Sequence, residues 1–446
     1  MRNVLRLALY TIIILFLIAV VLAGVSQTQF FRNQLRSVVL TQLDSLFEAE
    51  VQMGPIAGNL VSGFSVDSVA FLIDHQPVIG VRRVDFRYNL LGIPGRTASV
   101  SSMTLVHPEI HLRRSLDGRW NFDRLFRPTP ADTSAAKPFA WSIVVKRLEL
   151  QDGVLDFVDS LTLHDCPRGD TLTEHRHDFT VRGINVLLAA RFAPEEKYLA
   201  ISRLQGKGIA RNIDLLNLSG EFTITPDSAV VRNLAIITGK SSLHLTASLQ
   251  GIDLLKGIVL AGLERRPTAV SLEGTPIDLN ELQQLVPGLD FLNGDASLDL
   301  DASGEFGKLT IRRLDLATRH TRMRWKGSIR NLHRPEDLAL TVRLTDGLID
   351  PGDIVDLMPS FHLPDLRSLG PASLTLDFDG RPLDFHTKFD LATSAGTIHS
   401  SVALAIGGPA VLRYQGDVSG DSVDLGKLFA DPRFRGSLNT TAHIEG

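Results

Sequence analysis

The sequence predicts a mainly β protein, with an N-terminal transmembrane helix followed by an elongated, repetitive, antiparallel β-sheet array. Three observations predict it. An uncharged apolar run fills residues 7–26, apolar and polar residues alternate with period two beyond residue 50, and an Asp-led segment recurs at intervals of just over seventy residues.

Residues 1–6 read as a cytoplasmic N-terminus carrying Arg2 and Arg6. The run LALYTIIILFLIAVVLAGVS, residues 7–26, is long enough for a hydrocarbon core of roughly 30 Å at about 1.5 Å per residue. Leu7, Ile12, Ile14, Leu17, Val20 and Leu22 are its membrane-anchoring residues. Positive residues favour the cytoplasmic side, so the expected placement is single-pass in the inner (cytoplasmic) membrane with the bulk of the chain exported. Ala23 and Gly24 leave a cleaved signal peptide as the alternative, although the apolar run exceeds the usual length of its hydrophobic region.

Residues 27–49 put Leu35, Val38, Val39, Leu43, Leu46 and Phe47 at helical spacing, predicting a short amphipathic helix. It either lies on the membrane surface or plugs the end of the sheet that follows. Residues 50–126 form a first β unit. A Pro- and Ala-rich linker, 127–138, divides it from a strand array at 139–276 and from repeats at 277–446.

Within the array, Leu338, Leu340, Val342 and Leu344 alternate with Ala339, Thr341, Arg343 and Thr345. Leu374, Leu376 and Phe378 alternate with Ser373, Thr375 and Asp377. Leu243, Leu245 and Leu249, Leu298 and Leu300, Phe385 and Phe389, and Leu404 keep the same rhythm. Each strand therefore has one apolar and one wet face. Breaks at Ser303-Gly304, Asp379-Gly380 and Gly407-Gly408 are expected to separate the strands, and short helices are expected at 278–286 and 353–358. Asp278, Asp350 and Asp424 mark one phase of the repeat, and Pro287, Pro359 and Pro432 another. The third copy runs into the last residue without a cap, so the chain is expected to be the N-terminal portion of something longer.

Lys plus Arg number 46 and Asp plus Glu 50, interspersed rather than massed, which argues against a nucleic-acid partner. One cysteine, Cys166, excludes an intramolecular disulfide and a multi-cysteine metal site. His164, Asp165, Cys166, His175, His177 and Asp178 are the candidate metal ligands, at a spacing that matches no standard zinc pattern, so no metal or other cofactor is expected. Gly239-Lys240-Ser241 resembles the end of a P-loop, but Leu234 stands where the upstream glycine belongs. Asp299 and Asp301 point to the wet face of a strand, no Gly-x-Ser-x-Gly elbow occurs, and no enzyme activity is expected.

The apolar run, then VQMGPIAGNLVSGF at 51–64, then LVHPEIHLRRSLDGRWNFDRLF at 105–126, resembles the N-terminal portion of TamB and the wider AsmA-like family. The likeness rests on Gly58-Asn59-Leu60, on Gly63-Phe64, on Pro108 with Ile110 and Leu112, and on Asp117-Gly118 before Trp120-Asn121. It is close over the first quarter of the chain and only a matter of pattern afterwards. The resemblance implies an inner-membrane anchor, a periplasmic location, and a β-sheet curled into an apolar-lined groove that passes phospholipid between membranes in outer-membrane biogenesis. Its alternative implication is a scaffold or chaperone-like adaptor for outer-membrane protein assembly and secretion. An outer-membrane assembly protein would then be a partner through a C-terminal part absent from this chain. On the groove reading, Leu243, Leu245, Leu249, Leu298, Leu300, Leu338, Leu340, Val342, Leu344, Leu374, Leu376, Phe378, Phe385, Phe389 and Leu404 form the lipid-facing rail. Alternation alone favours a sandwich in which these faces pack on one another, and it is the resemblance that favours the groove.

Overall fold

Strands of alternating character pair with their sequence neighbours when short turns join them, and the chain does so almost throughout. The computed structural model describes residues 24–60, 62–115, 118–125, 127, 141–159, 179–210, 213–253, 260–285, 292–359, 367–381, 384–406, 412–428, 433–434 and 436–446. Twenty-one strands belong to one hydrogen-bonded sheet, and the chain divides into two compact units, 1–218 and 219–446, which are taken in turn.

The first unit begins with helix α1, Gln29–Leu46, whose N-cap Thr28 accepts a hydrogen bond from the Phe31 amide at 3.2 Å. No residue of α1 is fully buried, but Arg36 donates to the Met53 carbonyl and so ties the helix to the first strand. The strands are β1 (Glu50–Met53), β2 (Ile56–Asn59), β3 (Gly63–Ile73), β4 (Gln76–Asn89), β5 (Thr97–Arg114), β6 (Ser142–Asp159), β7 (Phe179–Phe192), β8 (Lys197–Ala210) and β9 (Ile213–Thr225), the last crossing the boundary between units. Across the β2–β3 hairpin Gly58 pairs with Phe64 and Gly63 with Asn59, both glycines at positive φ. A Cβ on Gly58 would lie 2.2 Å from the Gly63 carbonyl oxygen, which explains why this turn needs glycine. A small core of Ala49, Ile73, Val78 and Leu125, with Phe47, Phe71 and Ile79 against it, closes this end of the sheet.

One pairing departs from the expected antiparallel array: β5 and β6 run parallel, from Thr97 opposite Ser142 to Arg114 opposite Asp159. Parallel neighbours need a long return connection, and the intervening 115–141, which contains the predicted linker, provides it. Residues 128–138 of that linker lie outside the described residues.

The second unit continues with β10 (Ser228–Thr238), β11 (Ser242–Gln250), β12 (Pro267–Asp278), β13 (Asp295–Glu305), β14 (Lys308–Ala317), β15 (Arg322–Arg330), β16 (Ala339–Ile349), β17 (Ala372–Arg381), β18 (Asp384–Thr393), β19 (Gly396–Ile406), β20 (Leu412–Asp424) and β21 (Ser437–Glu445), each antiparallel to the next where registers are given. Short helices interrupt it at α2 (Leu279–Leu285), α3 (Pro351–Leu357) and α4 (Leu425–Leu428). Each follows one of the recurring aspartates, and each aspartate caps its helix. Asp278 Oδ1 accepts from the Glu281 amide (2.9 Å), Asp350 Oδ1 from the Gly352 amide (2.8 Å) and Asp424 Oδ1 from the Lys427 amide (3.1 Å). Four strands separate successive helices, β13–β16 and then β17–β20, so the sequence repeat is a structural one.

Ser303-Gly304 and Asp379-Gly380, expected as breaks, lie inside β13 and β17. Gly304 (φ 146°) and Gly380 (φ 143°) sit where the neighbouring backbone crowds in: a Cβ would lie 2.6 Å from the Lys308 oxygen and 2.5 Å from the Asp384 oxygen. The glycines permit close approach within the ladder rather than ending the strand. Gly407-Gly408 lies outside the described residues.

Candidate functional site

Cross-strand partners share a face of the sheet, so the registers show what each face carries. In the second unit one row of partners runs through all twelve strands from β10 to β21: Leu234, Leu245, Leu272, Leu300, Leu314, Trp325, Leu344, Leu376, Phe389, Ser400, Val418 and Ala442. The row beside it holds Val231, Ala247, Val270, Ala302, Ile311, Gly327, Val342, Phe378, Thr387, Val402, Gly416 and Ile444. Neither row contains a charged side chain. At about 4.8 Å per strand the eleven steps of a row cover roughly 53 Å.

The first unit repeats the arrangement from β3 to β8. Phe64, Phe86, Met103, Leu148, Leu188 and Ile201 form one row, and Val66, Val84, Leu105, Leu150, Val186 and Leu204 the next.

Of the fifteen predicted rail residues, fourteen fall on this one face of the second unit, and Leu338 precedes β16 outside any strand. The structure adds Leu309, Ile311, Leu314, Leu316, Trp325 and Ile329, which period-two reading passed over. The reason is a bulge. Between Ile311 and Leu314 two arginines occupy the space of one residue, and Arg232-Asn233 between Val231 and Leu234 does the same. Apolar, polar, polar, apolar in a strand is the signal that finds them, because the extra residue returns the next apolar side chain to the original face.

The apolar face is thinly covered. Leu344 (1% exposed), Ala302 (2%) and Ile311 (4%) are sealed, but Leu340, Val342, Leu374, Leu376, Phe378, Phe385, Phe389 and Leu404 are only half-buried.

The opposite face carries the charge, paired across strands. Arg313 reaches Asp299 at 2.9 Å, Arg324 reaches Asp315 at 3.1 Å and Arg343 reaches Asp377 at 2.5 Å. His399 lies between Asp390 (2.5 Å) and Asp421 (3.6 Å), and its hydrogen bond to Asp390 pushes its pKa above the ordinary histidine value. Asp299 thus has a structural partner, and Arg312 approaches Asp301 at 4.0 Å. Neither needs a catalytic account.

Gly239-Lys240-Ser241 forms the turn between β10 and β11. The Ser241 hydroxyl donates to Glu281 (2.7 Å) and accepts from the Asp278 amide (3.0 Å), while Lys240 Nζ stands 3.2 Å from Asp278. The P-loop-like triplet is a brace for helix α2. The next repeat builds the same brace around Asp353. The Thr318 hydroxyl (2.5 Å), the His320 amide (2.7 Å) and the Thr321 amide (2.8 Å) donate to its Oδ2, and the Thr321 hydroxyl accepts from the Asp350 amide (3.0 Å). Burial alone would raise the Asp353 pKa, but these donors outweigh it and hold it at about 2.

His164, Asp165, Cys166, His175, His177 and Asp178 lie outside the described residues, as do Leu7, Ile12, Ile14, Leu17, Val20 and Leu22. Among the described residues no group of three or more His, Cys, Asp or Glu is arranged to hold a metal ion, and no helix is long and apolar enough to cross a membrane. Comparison with family models, curated proteins and solved structures finds no match for this chain.

Proposed function

We propose that the protein is a membrane-anchored, non-catalytic carrier of phospholipid, holding acyl chains on its apolar sheet face as a groove between the inner and outer membranes. The observation that carries this reading is the uncharged face of β10 to β21, half-buried and continuous over twelve strands. Taking twelve strands at about 4.8 Å and the two rows at about 6.8 Å gives an area on the order of 800 Å². Soluble monomers rarely leave more than roughly 300–600 Å² of contiguous apolar patch, and larger ones mark an interaction surface.

An acyl chain meets what such a face demands. Its burial yields about 0.8 kcal/mol per methylene without directional bonds. Successive rungs are chemically alike, so displacement by one rung changes the burial little. The apolar run at 7–26 and the resemblance of the first quarter of the chain to AsmA-like proteins support placing this face in the periplasm behind an inner-membrane anchor.

The test is photo-crosslinking in cells, with the reactive residue at Leu340, Val342 or Phe378 and at the wet-face positions Thr341 and Asp377. Phospholipid adducts at the first three and not the last two are expected. Absence of adducts at all five would mean that the face is packed shut, and would favour the adaptor role in outer-membrane protein assembly.

A further inference from the structure

The face opposite the apolar one holds a second feature in the first unit. Between β3 and β6 lies a shallow dish of about 610 Å³, whose polar lining includes Arg83, Arg87 and Arg147, the hydroxyls of Ser102 and Thr104, and one carboxylate, Asp85. Its floor is open because Gly63 has no side chain; a Cβ there would lie 3.0 Å from Arg87 Cγ and 2.4 Å from the Phe86 oxygen.

The registers place the three guanidinium groups around the hydroxyls. Arg87 lies directly across from Ser102, and Asp85 directly across from Ser65 on one side and Thr104 on the other. Arg147 comes next, on β6, in the stretch between the Val100–Val145 and Met103–Leu148 pairs. Arg87 and Arg147 therefore flank Ser102 from the strands on either side of it, at roughly 10 Å between backbones, a span that two arginine side chains can close around one small anion.

Both acids, Asp85 in the lining and Glu149 beside it, already hold an arginine. Asp85 Oδ1 accepts from Arg83 Nε at 3.1 Å, and the same Nε stands 3.1 Å from Ser65 Oγ. Glu149 takes Arg147 Nη2 at 2.8 Å and Gln151 Nε2 at 2.9 Å. Arg87 is exposed and has no carboxylate partner among the described residues. Two neighbouring like charges, one of them uncompensated, over free hydroxyls in a concave floor are complementary to a tetrahedral oxyanion, which accepts bidentate arginine bonds and hydroxyl bonds together.

We infer that this dish binds a phosphate group, through Arg87 and Arg147 with Ser102 and Thr104, and that its ligand is a phosphate-bearing headgroup or a free phosphate. The site is independent of the acyl-chain reading. It lies on the other face of the sheet, so a lipid whose tails rest on the apolar rows does not reach it.

The test is calorimetric titration of the full chain in a zwitterionic detergent. The titrants are inorganic phosphate, dihexanoyl phosphatidylglycerol and, as zwitterionic control, dihexanoyl phosphatidylcholine. At low salt, saturable binding of phosphate or of the phosphatidylglycerol is expected, weakened about tenfold or more in Arg87→Gln and again in Arg147→Gln. Arg324→Gln, in a paired ladder of the second unit, should leave it unchanged. Binding of both titrants assigns a free-phosphate site, and binding of the phosphatidylglycerol alone assigns a headgroup site. Arg87 is exposed, so its loss does not unfold the sheet, and hydrogen exchange of the Phe86 and Met103 amides checks this. Equal affinity in Arg87→Gln and the parent chain, or no phosphate-dependent heat with either anionic titrant, would overturn the inference.

Discussion

Substituting Asp353 by Asn tests how the repeat is held together. The carboxylate is nearly buried and accepts from the Thr318 hydroxyl and the His320 and Thr321 amides, which brings its pKa from 3.8 to about 2. At about 1.36 kcal/mol per pKa unit this is worth about 2–3 kcal/mol, or roughly 60-fold in a local equilibrium. The folded pKa lies below the unfolded one. The stabilisation is therefore fully present above pH 3.8 and is lost as the pH falls toward 2. An array in which each repeat contacts its neighbours opens locally, so the proper assay is hydrogen exchange at the amides of His320 and Thr321, corrected for intrinsic rate. In Asp353→Asn these amides should exchange roughly 60-fold faster at pH 6, since a neutral amide side chain cannot satisfy the same set of donors. In the parent chain the same protection should decay between about pH 4 and pH 2. Unchanged exchange in the variant, or protection in the parent chain that is independent of pH over that window, would refute the assignment of Asp353 as the brace.

Leu344→Ala removes a side chain that is 1% exposed and should cost about 2–5 kcal/mol, whereas Leu340→Ala, half-buried on the same face, should cost less than half as much; exchange in the β16–β17 ladder compares the two, and equal costs would mean that the face is sealed. Gly380→Ala places a Cβ 2.5 Å from the Asp384 oxygen at φ 143° and should destabilise the β17–β18 hairpin by about 1–3 kcal/mol, read as faster proteolysis there. His399 should titrate above 6.5 by proton NMR and fall back toward that value in Asp390→Asn. Its contribution to stability is present at low pH and is lost as the pH rises through the folded pKa, the reverse of Asp353.

Much of the second unit was legible because its strands alternate cleanly: residues 384–393 read exposed, half-buried, exposed without a break. Fourteen of the fifteen residues chosen from that rhythm share a face for this reason. What failed has a physical cause in each case. Glycines at 304 and 380 read as turns, but they serve close backbone approach inside strands. The parallel β5–β6 pair carries no local signature, since parallel and antiparallel strands both show alternation and only the long connection between them distinguishes the two. The brace around Asp353 joins residues over thirty positions apart in sequence, so no local spacing marks its Thr, His and Asp as partners.

The bulges explain how one face stays free of charge over so many strands. A strand that gained one polar residue without a bulge would turn every later side chain to the other face. In β14 that would carry Asp315 onto the apolar rows and Leu314 and Leu316 off them. The double insertions at Arg232-Asn233, Arg312-Arg313 and Lys146-Arg147 absorb the extra residue locally, and partners on both sides of each stay in their rows. The ladders from β17 to β19 keep the same rows in register with no bulge, because their strands carry no surplus polar residue. The device is used only where a strand carries the insertion, and there it holds Leu234, Leu314 and Leu148 in rows that the extra residue would otherwise have turned to the wet face.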